Sequence, residues 1–138
     1  QRLSDDLRRA GIRADCLHGD IKQATREKTM ADFRHGKLPV LIATDVASRG
    51  IDVDDVDGVI NYDVPEENEY YIHRIGRTGR ARKKGISFTL LGSFPEKAKL
   101  DEIAKFAGFR IVPMIFDEYG CLVPAPAEEK HPTSRRRF

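Results

Sequence analysis

Residues 40–53, VLIATDVASRGIDV, carry the strongest structural signal in this chain. The run from Val40 to Ala43 is uninterrupted and apolar, which is typical of a parallel strand covered on both faces. Polar and charged residues follow it at once, and ligands of parallel α/β sheets bind at the carboxyl ends of the strands. The stretch therefore predicts a central strand that ends in a ligand-binding loop.

Predicted helices and strands alternate on both sides of this strand. We predict helices over residues 2–10, 22–34, 67–76 and 95–107, and strands over residues 12–16, 40–43, 58–62 and 85–91. Gly108 directly follows the last helix, at a position that favours left-handed backbone. This alternation predicts an α/β fold with a mostly parallel sheet.

Composition sets broader bounds. With 138 residues, 40% of them hydrophobic, the chain fits one compact domain with a core. Lys and Arg total 24 against 22 Asp and Glu, so local clusters rather than net charge must indicate nucleic acid. Cys16 and Cys121 lie far apart in the sequence, and neither has a His or Cys nearby at the spacing of metal ligands, which predicts reduced thiols. No apolar run approaches the roughly 20 residues of a membrane span, so we expect a cytoplasmic protein without a membrane partner.

The loop after the apolar run combines groups that suit a nucleotide or a phosphate backbone. Hydroxyl, guanidinium and carboxylate groups are offered by Thr44, Ser48, Arg49, Asp45 and Asp52. Gly50 would allow close backbone approach. The alternative is a polar loop in which Thr and Asp side chains cap local turns.

A second cluster covers residues 73–84, HRIGRTGRARKK. Arg74, Arg77 and Arg80 recur every third residue, so a wound segment would place their guanidinium groups close together. Such groups repel one another unless an anion joins them, and phosphate matches the planar guanidinium. The alternative is a solvated basic face or a general nucleic-acid patch.

A third cluster, residues 18–26, lies at a predicted strand-to-helix junction. Gly19, Gln23 and Arg26 there would suit a sugar-phosphate backbone. In the alternative interpretation Asp20 caps the helix and Arg26 is an ordinary surface residue.

The order of the three clusters resembles the DEAD-box branch of superfamily 2 RNA helicases. ATDVASRGIDV at residues 43–53 resembles the family's motif V, HRIGRTGR at 73–80 resembles motif VI, and residues 18–26 with Phe33 and Arg34 resemble its GD-x-x-Q-x-x-R segment. The resemblance implies a RecA-like three-layer sandwich over residues 1–115, N-terminally incomplete because the family's first strand would precede Gln1. Residues 116–138 would form a C-terminal extension with a basic tail.

The resemblance also implies roles for individual residues. Arg77 and Arg80 would be catalytic arginine fingers that reach the γ-phosphate of ATP, beside the further ATP contacts Gly50 and Asp52. RNA contacts would come from Gly19, Gln23, Arg26 and Thr44. Coupling to the other lobe would involve Asp45, Arg49, His73 and Arg74. No G-x-x-x-x-G-K-[ST] phosphate loop is present, so ATP and Mg²⁺ would be held mainly by a first lobe and the isolated chain would be inactive.

The implied partners are RNA and the N-terminal RecA-like lobe. RNA would be bound through its backbone without sequence preference, and closure of the lobes would unwind duplexes locally. The missing strand would normally lie inside the sheet, so exposed strand edges would favour a strand-exchanged oligomer. Two alternatives remain open: a stand-alone RNA-binding module without ATPase activity, and a related motor that acts on DNA.

Overall fold

The computed structural model describes residues 1–48, 56–79 and 84–126. The helices are α1 Arg2–Arg9, α2 Gln23–Arg34, α3 Asp45–Ser48, α4 Asn68–Ile75 and α5 Phe94–Ala107. The strands are β1 Ala14–Leu17, β2 Val40–Ala43, β3 Gly58–Asn61, β4 Ile86–Thr89, β5 Met114–Phe116 and β6 Leu122–Pro124. All the helices and strands predicted from the sequence are present within two residues at each end, and the α/β fold is confirmed.

The described strands form three separate pairs. β1 and β2 are parallel, with Ala14 opposite Val40, and β3 and β4 are parallel, with Gly58 opposite Ile86. The prediction of a central β2 is wrong for the described residues, because β2 pairs with β1 alone and its side chains are half-buried to exposed. A short apolar run does not reveal how many neighbours a strand has.

The hairpin of β5 and β6 was not predicted. The Asp117 carboxylate forms the turn by accepting from the backbone N–H groups of Tyr119 at 2.9 Å and Cys121 at 2.8 Å. Strands of three residues are too short to show a clear alternating pattern. The part of the extension predicted as a basic tail therefore begins only after the hairpin. Residues 127–138 lie outside the described residues. The domain boundary near residue 115 stays a prediction.

The buried side chains form two hydrophobic clusters. The first joins β1, α2 and α3 through Leu17, Met30 and Ala47. The second joins α4 to α5 through Tyr71, Leu100 and Ile103, and the ring of Phe109 stacks on Tyr71 at 5.8 Å between centroids. α3 is therefore anchored to β1 and α2 by the buried methyl group of Ala47, although it has a single turn.

Helix α5 has well-defined ends. Ser93 Oγ accepts from the Glu96 N–H, while Glu96 Oε2 accepts from the Gly92 N–H at 2.7 Å, which satisfies two donors at the N-terminus. Gly108 ends the helix with a φ of 77°, as predicted. No helix within residues 1–48, 56–79 and 84–126 is long and apolar enough to cross a membrane.

Candidate functional site

The carboxyl ends of β2 and β3 are joined by one arginine. Asp45 follows β2 by two residues, and its carboxylate accepts two hydrogen bonds from Arg74 on α4: Nε to Oδ1 at 2.7 Å and Nη2 to Oδ2 at 2.8 Å. The remaining nitrogen, Nη1, donates to the Asp63 backbone oxygen at 2.8 Å and lies 3.0 Å from Asp63 Oδ1. α4 is thereby fixed across the ends of both strands.

The Arg74 guanidinium is largely removed from water, with 19% of its side chain exposed. The hydrogen bonds to Asp45 raise the pKa of Arg74, and this effect outweighs the opposing effect of burial. Because the pKa of Arg74 is higher in the folded than in the unfolded protein, the pair contributes its full stabilisation of the fold at any pH below the unfolded pKa. This contribution is lost only as the pH rises through the folded pKa. Neutral pH therefore leaves the pair intact. The carboxylates of Asp45 and Asp63 therefore compensate the positive charge of this arginine.

A second contact lies at the turn that follows α4. The Val56 N–H donates to the Arg77 backbone oxygen at 3.1 Å, and Thr78 Oγ1 donates to the Val56 oxygen at 2.6 Å. The segment that begins at Asp45 and ends at Val56 therefore starts and finishes against the stretch from Arg74 to Thr78. Arg49, Gly50 and Asp52 belong to this segment but lie outside the described residues, as does Arg80.

Gly85 lies against the same turn. A Cβ atom at Gly85 would overlap the Gly79 backbone nitrogen and Thr78 Oγ1, so only a residue without a side chain fits. Arg77 itself is half-buried and makes contacts within the protein. The turn is thus held on one side by Val56 and on the other by Gly85.

The four predicted RNA contacts divide into two places. Gly19 and Gln23 are exposed near the start of α2, where Gln23 Nε2 donates to Glu27 Oε1 at 3.2 Å. Arg26 and Thr44 instead meet at the backbone of Ala47: Arg26 Nη2 donates to the Ala47 oxygen at 2.9 Å, and the Ala47 N–H donates to Thr44 Oγ1 at 3.2 Å. These two predicted contacts are therefore linked to each other through α3.

Other predictions and omissions can be placed on the structure. His73 is exposed on α4, one residue before Arg74. Across the described ranges no group of three or more His, Cys, Asp or Glu side chains could hold a metal ion. Asp63 and Thr78 were not predicted as site residues. For Asp63 a signal was available, because it follows the end of a predicted strand as Asp45 does.

Comparisons with known proteins relate the sequence and the fold of this chain to helicases. Residues 1–82 match the family described as "Helicase conserved C-terminal domain". The chain is 46% identical over 121 residues to the probable ATP-dependent RNA helicase DDX17 of Homo sapiens, covering 83% of this chain and 17% of that protein. It is 38% identical to the C-terminal domain of the DEAD-box protein Dbp5, with a TM-score of 0.73, covering 78% of this chain and 63% of that domain.

A further solved structure, S. cerevisiae Dbp5 bound to RNA and ADP BeF3, superimposes with a TM-score of 0.71 and 38% identity, over 78% of this chain and 29% of that one. The chain thus spans less than two thirds of each of these relatives. The match to a helicase family covers more than half of the chain, and the DEAD-box neighbours share its parallel α/β architecture. This chain therefore belongs to the helicase conserved C-terminal domain family, and its resemblance to the DEAD-box proteins is confirmed.

Proposed function

We propose that this chain acts as the second RecA-like lobe of an ATP-dependent RNA helicase that unwinds short duplexes locally. The observation that carries the proposal is the double attachment of the segment from Asp45 to Val56 to the turn that ends α4. This arrangement favours one shared site for the two stretches in which ATP contacts are predicted. A stand-alone RNA-binding module would not require it.

On the ATP side, we propose that Arg77 and Arg80 contact the γ-phosphate of ATP bound to the first lobe. Positioned guanidinium groups stabilise the negative charge that develops in phosphoryl transfer. ATP with Mg²⁺ would supply the phosphoryl group that is transferred to water, and both would be held mainly by the first lobe. Gly50 would permit close approach, and Asp52 would accept a hydrogen bond from the ribose.

Coupling between the lobes is proposed for Asp45, Arg49, His73 and Arg74. Asp45 and Arg74 satisfy each other inside this domain, so their proposed contribution is to hold α4 and its following turn at the correct distance from β2. Exposed His73 is then available to the surface that faces the first lobe. This division gives Asp45 and Arg74 a positioning role and His73 a contact role.

On the RNA side, we propose backbone contacts from Gly19, Gln23, Arg26 and Thr44. Open space surrounds the Cβ position of Gly19, and Gln23 is exposed, which suits close approach of a sugar-phosphate chain. Binding that neutralises phosphates would be nearly independent of sequence and would weaken with salt. The stand-alone RNA-binding module and the DNA motor remain the competing proposals.

Self-association of the isolated chain is a separate proposal. β2 and β3 each have one described strand neighbour, and apolar side chains near β3 and β4 are exposed, including Ile60 at 68% and Ile86 at 56%. Strands with one unpaired edge and exposed apolar side chains favour strand pairing between copies. Sedimentation of the purified chain over a range of concentrations tests this, and a monomer throughout would contradict it. Location in the cytoplasm stays a prediction.

The test of the main proposal is ATP turnover, with and without single-stranded RNA, by the chain alone and by a chimera in which it replaces the segment of DDX17 that it matches. We expect RNA-dependent turnover by the chimera and none by the chain alone. Turnover by the isolated chain would show that the ATP site is complete here. RNA binding without turnover in either sample would favour the binding module.

A further inference from the structure

A network of polar side chains joins α4 to the β3–β4 pair. Asn61 Nδ2 donates to Thr89 Oγ1 at 3.1 Å, and the hydroxyl groups of Thr89 and Tyr71 are hydrogen-bonded at 3.0 Å. Asn61 and Tyr71 are 1% and 4% exposed. Asn61 lies directly opposite Thr89 in the register of the two strands. The hydroxyl group of Thr89 therefore links the helix to both strands.

The stability of the fold does not explain why residue 61 is an asparagine. Its amide oxygen accepts no hydrogen bond within residues 1–48, 56–79 and 84–126, although the side chain is buried. A buried polar atom without a partner lowers stability, and an apolar side chain would avoid this cost. The amide nitrogen donates a second, longer hydrogen bond to Ser87 Oγ at 3.4 Å. Within the described structure, the amide group of Asn61 thus holds hydroxyl groups of β4 in place.

The ring of Tyr71 makes contacts of a different kind. It packs with Leu100 and Ile103 of α5 and stacks on Phe109. Apolar contacts are non-directional, so they hold α4 against its neighbours without fixing its rotation about its own axis. A hydrogen bond is directional, and its strength falls steeply when it is misaligned. The hydroxyl group of Tyr71, rather than its ring, therefore limits the rotation of α4 at this point.

Tyr71 and Arg74 attach α4 at two points that lie one turn apart. Arg74 binds the two carboxylates described above, and Tyr71 binds Thr89. Two directional attachments fix the rotation of a helix, whereas one attachment lets the helix pivot about it. Successive helical residues are about 100° apart, so His73 lies on the side of α4 that faces away from Tyr71. His73 is exposed there, as expected.

A small rotation of α4 would displace groups of the proposed ATP site. Side-chain atoms lie about 5–6 Å from the axis of a helix, so a rotation by about 10° moves them by about 1 Å. A displacement of this size can slow an enzymatic reaction by roughly a hundredfold. His73 is carried by α4 itself, and Arg77 follows Ile75, the last residue of α4, by two positions.

Resting on the proposed function, we propose that Asn61, Thr89 and Tyr71 are positioning residues that set the rotation of α4 and thereby place His73 and Arg77 for ATP hydrolysis. The placement of charged groups matters most in the transition state. Binding of ATP in the ground state rests mainly on the first lobe. Loss of the network therefore lowers kcat and leaves the KM for ATP unchanged.

The experiment measures steady-state ATP turnover by the DDX17 chimera at saturating oligouridine. Thr89→Val has nearly the shape of Thr but lacks the hydroxyl group, whereas Thr89→Ser keeps it. We expect Thr89→Val to lower kcat about tenfold with the KM for ATP within about twofold, because Arg74 still restrains α4 in part. Thr89→Ser should stay within about twofold of the wild-type chimera in both constants.

Tyr71→Phe tests the other end of the same hydrogen bond. It removes the hydroxyl group and keeps the ring that stacks on Phe109, so it should lower kcat to a similar extent. The matched control is Tyr119→Phe, which removes the hydroxyl group of a side chain that is 82% exposed and should leave both constants unchanged. All rates are measured well below the melting temperature of each variant. A purely structural role would lower the melting temperature and leave kcat unaltered.

The outcomes separate the two proposals. A wild-type chimera without RNA-dependent turnover would overturn the proposed function, and this inference with it. An active wild-type chimera whose Thr89→Val and Tyr71→Phe variants keep their kcat would overturn this inference alone. Equal losses of kcat in Thr89→Val and Thr89→Ser would also overturn it, because the hydroxyl group would then be irrelevant. If Thr89→Val fails to fold, Tyr71→Phe gives the decisive measurement.

Discussion

The pair formed by Arg74 and Asp45 should contribute strongly to the stability of the isolated chain. Two charge-assisted hydrogen bonds of 2.7 and 2.8 Å join side chains that are 19% and 29% exposed. Arg74→Met removes both bonds to the partly buried Asp45 carboxylate, together with the contacts of Nη1 to Asp63. Hydrogen bonds to charged groups contribute about 1.5–3 kcal/mol, and water would reach Asp45 in part. We therefore expect a loss of about 2.5 kcal/mol in the free energy of unfolding.

Arg74→Met, Asp45→Asn and the double variant form a thermodynamic cycle. We expect the sum of the two single losses in unfolding free energy to exceed the loss in the double variant by about 2 kcal/mol. The reason is that, once one partner has been replaced, replacing the other removes no further interaction between them. The measurement is urea unfolding followed by far-UV circular dichroism, since the chain contains no Trp. For a chain of this size the loss in Arg74→Met corresponds to roughly 10 °C in melting temperature.

Arg9→Met is the matched control. Arg9 lies 3.4 Å from Asp6 at the surface, with the two side chains 80% and 53% exposed. Exposed pairs contribute about 0–1 kcal/mol, so this variant should be close to neutral. A coupling energy between Arg74 and Asp45 below about 0.5 kcal/mol would refute the reasoning, because water would then satisfy Asp45 as well as Arg74 does.

Three further changes test other parts of the structure. Gly85→Ala should lower the free energy of unfolding by about 1–3 kcal/mol, because the added methyl group would overlap the turn after α4. In the same urea experiment the control Gly19→Ala should be nearly neutral, because open space surrounds its Cβ position. Arg77→Ala or Arg80→Ala in the chimera should reduce ATP turnover on the order of a thousandfold while largely sparing RNA affinity; unchanged turnover in both would exclude the arginine-finger role. Deleting residues 128–138, which include three consecutive arginines, should reduce the salt dependence of RNA binding by about 2 in the log–log slope, and an unaltered slope would contradict a role for this tail.

Much of the local structure was predictable because it depends on neighbours in the sequence. The strand at the apolar run from Val40 to Ala43 and the end of α5 at Gly108 each appear in the structure where the pattern predicted them. The DEAD-box resemblance is confirmed, because the order of short motifs along the chain is itself a sequence property. The roles assigned to individual site residues stay predictions.

Long-range pairing was not predictable from local patterns. Arg74 and Asp45 are 29 residues apart and Arg26 and Ala47 are 21 apart, and no periodicity indicates which side chain reaches which backbone or carboxylate. The same limit explains the error over β2, since an apolar strand has the same pattern with one neighbour or two. Residue types and their spacing indicated phosphate chemistry in this chain. The folded backbone, by bringing distant segments within hydrogen-bonding distance, assigned Arg74 to Asp45 and joined Arg26 to Thr44 through Ala47.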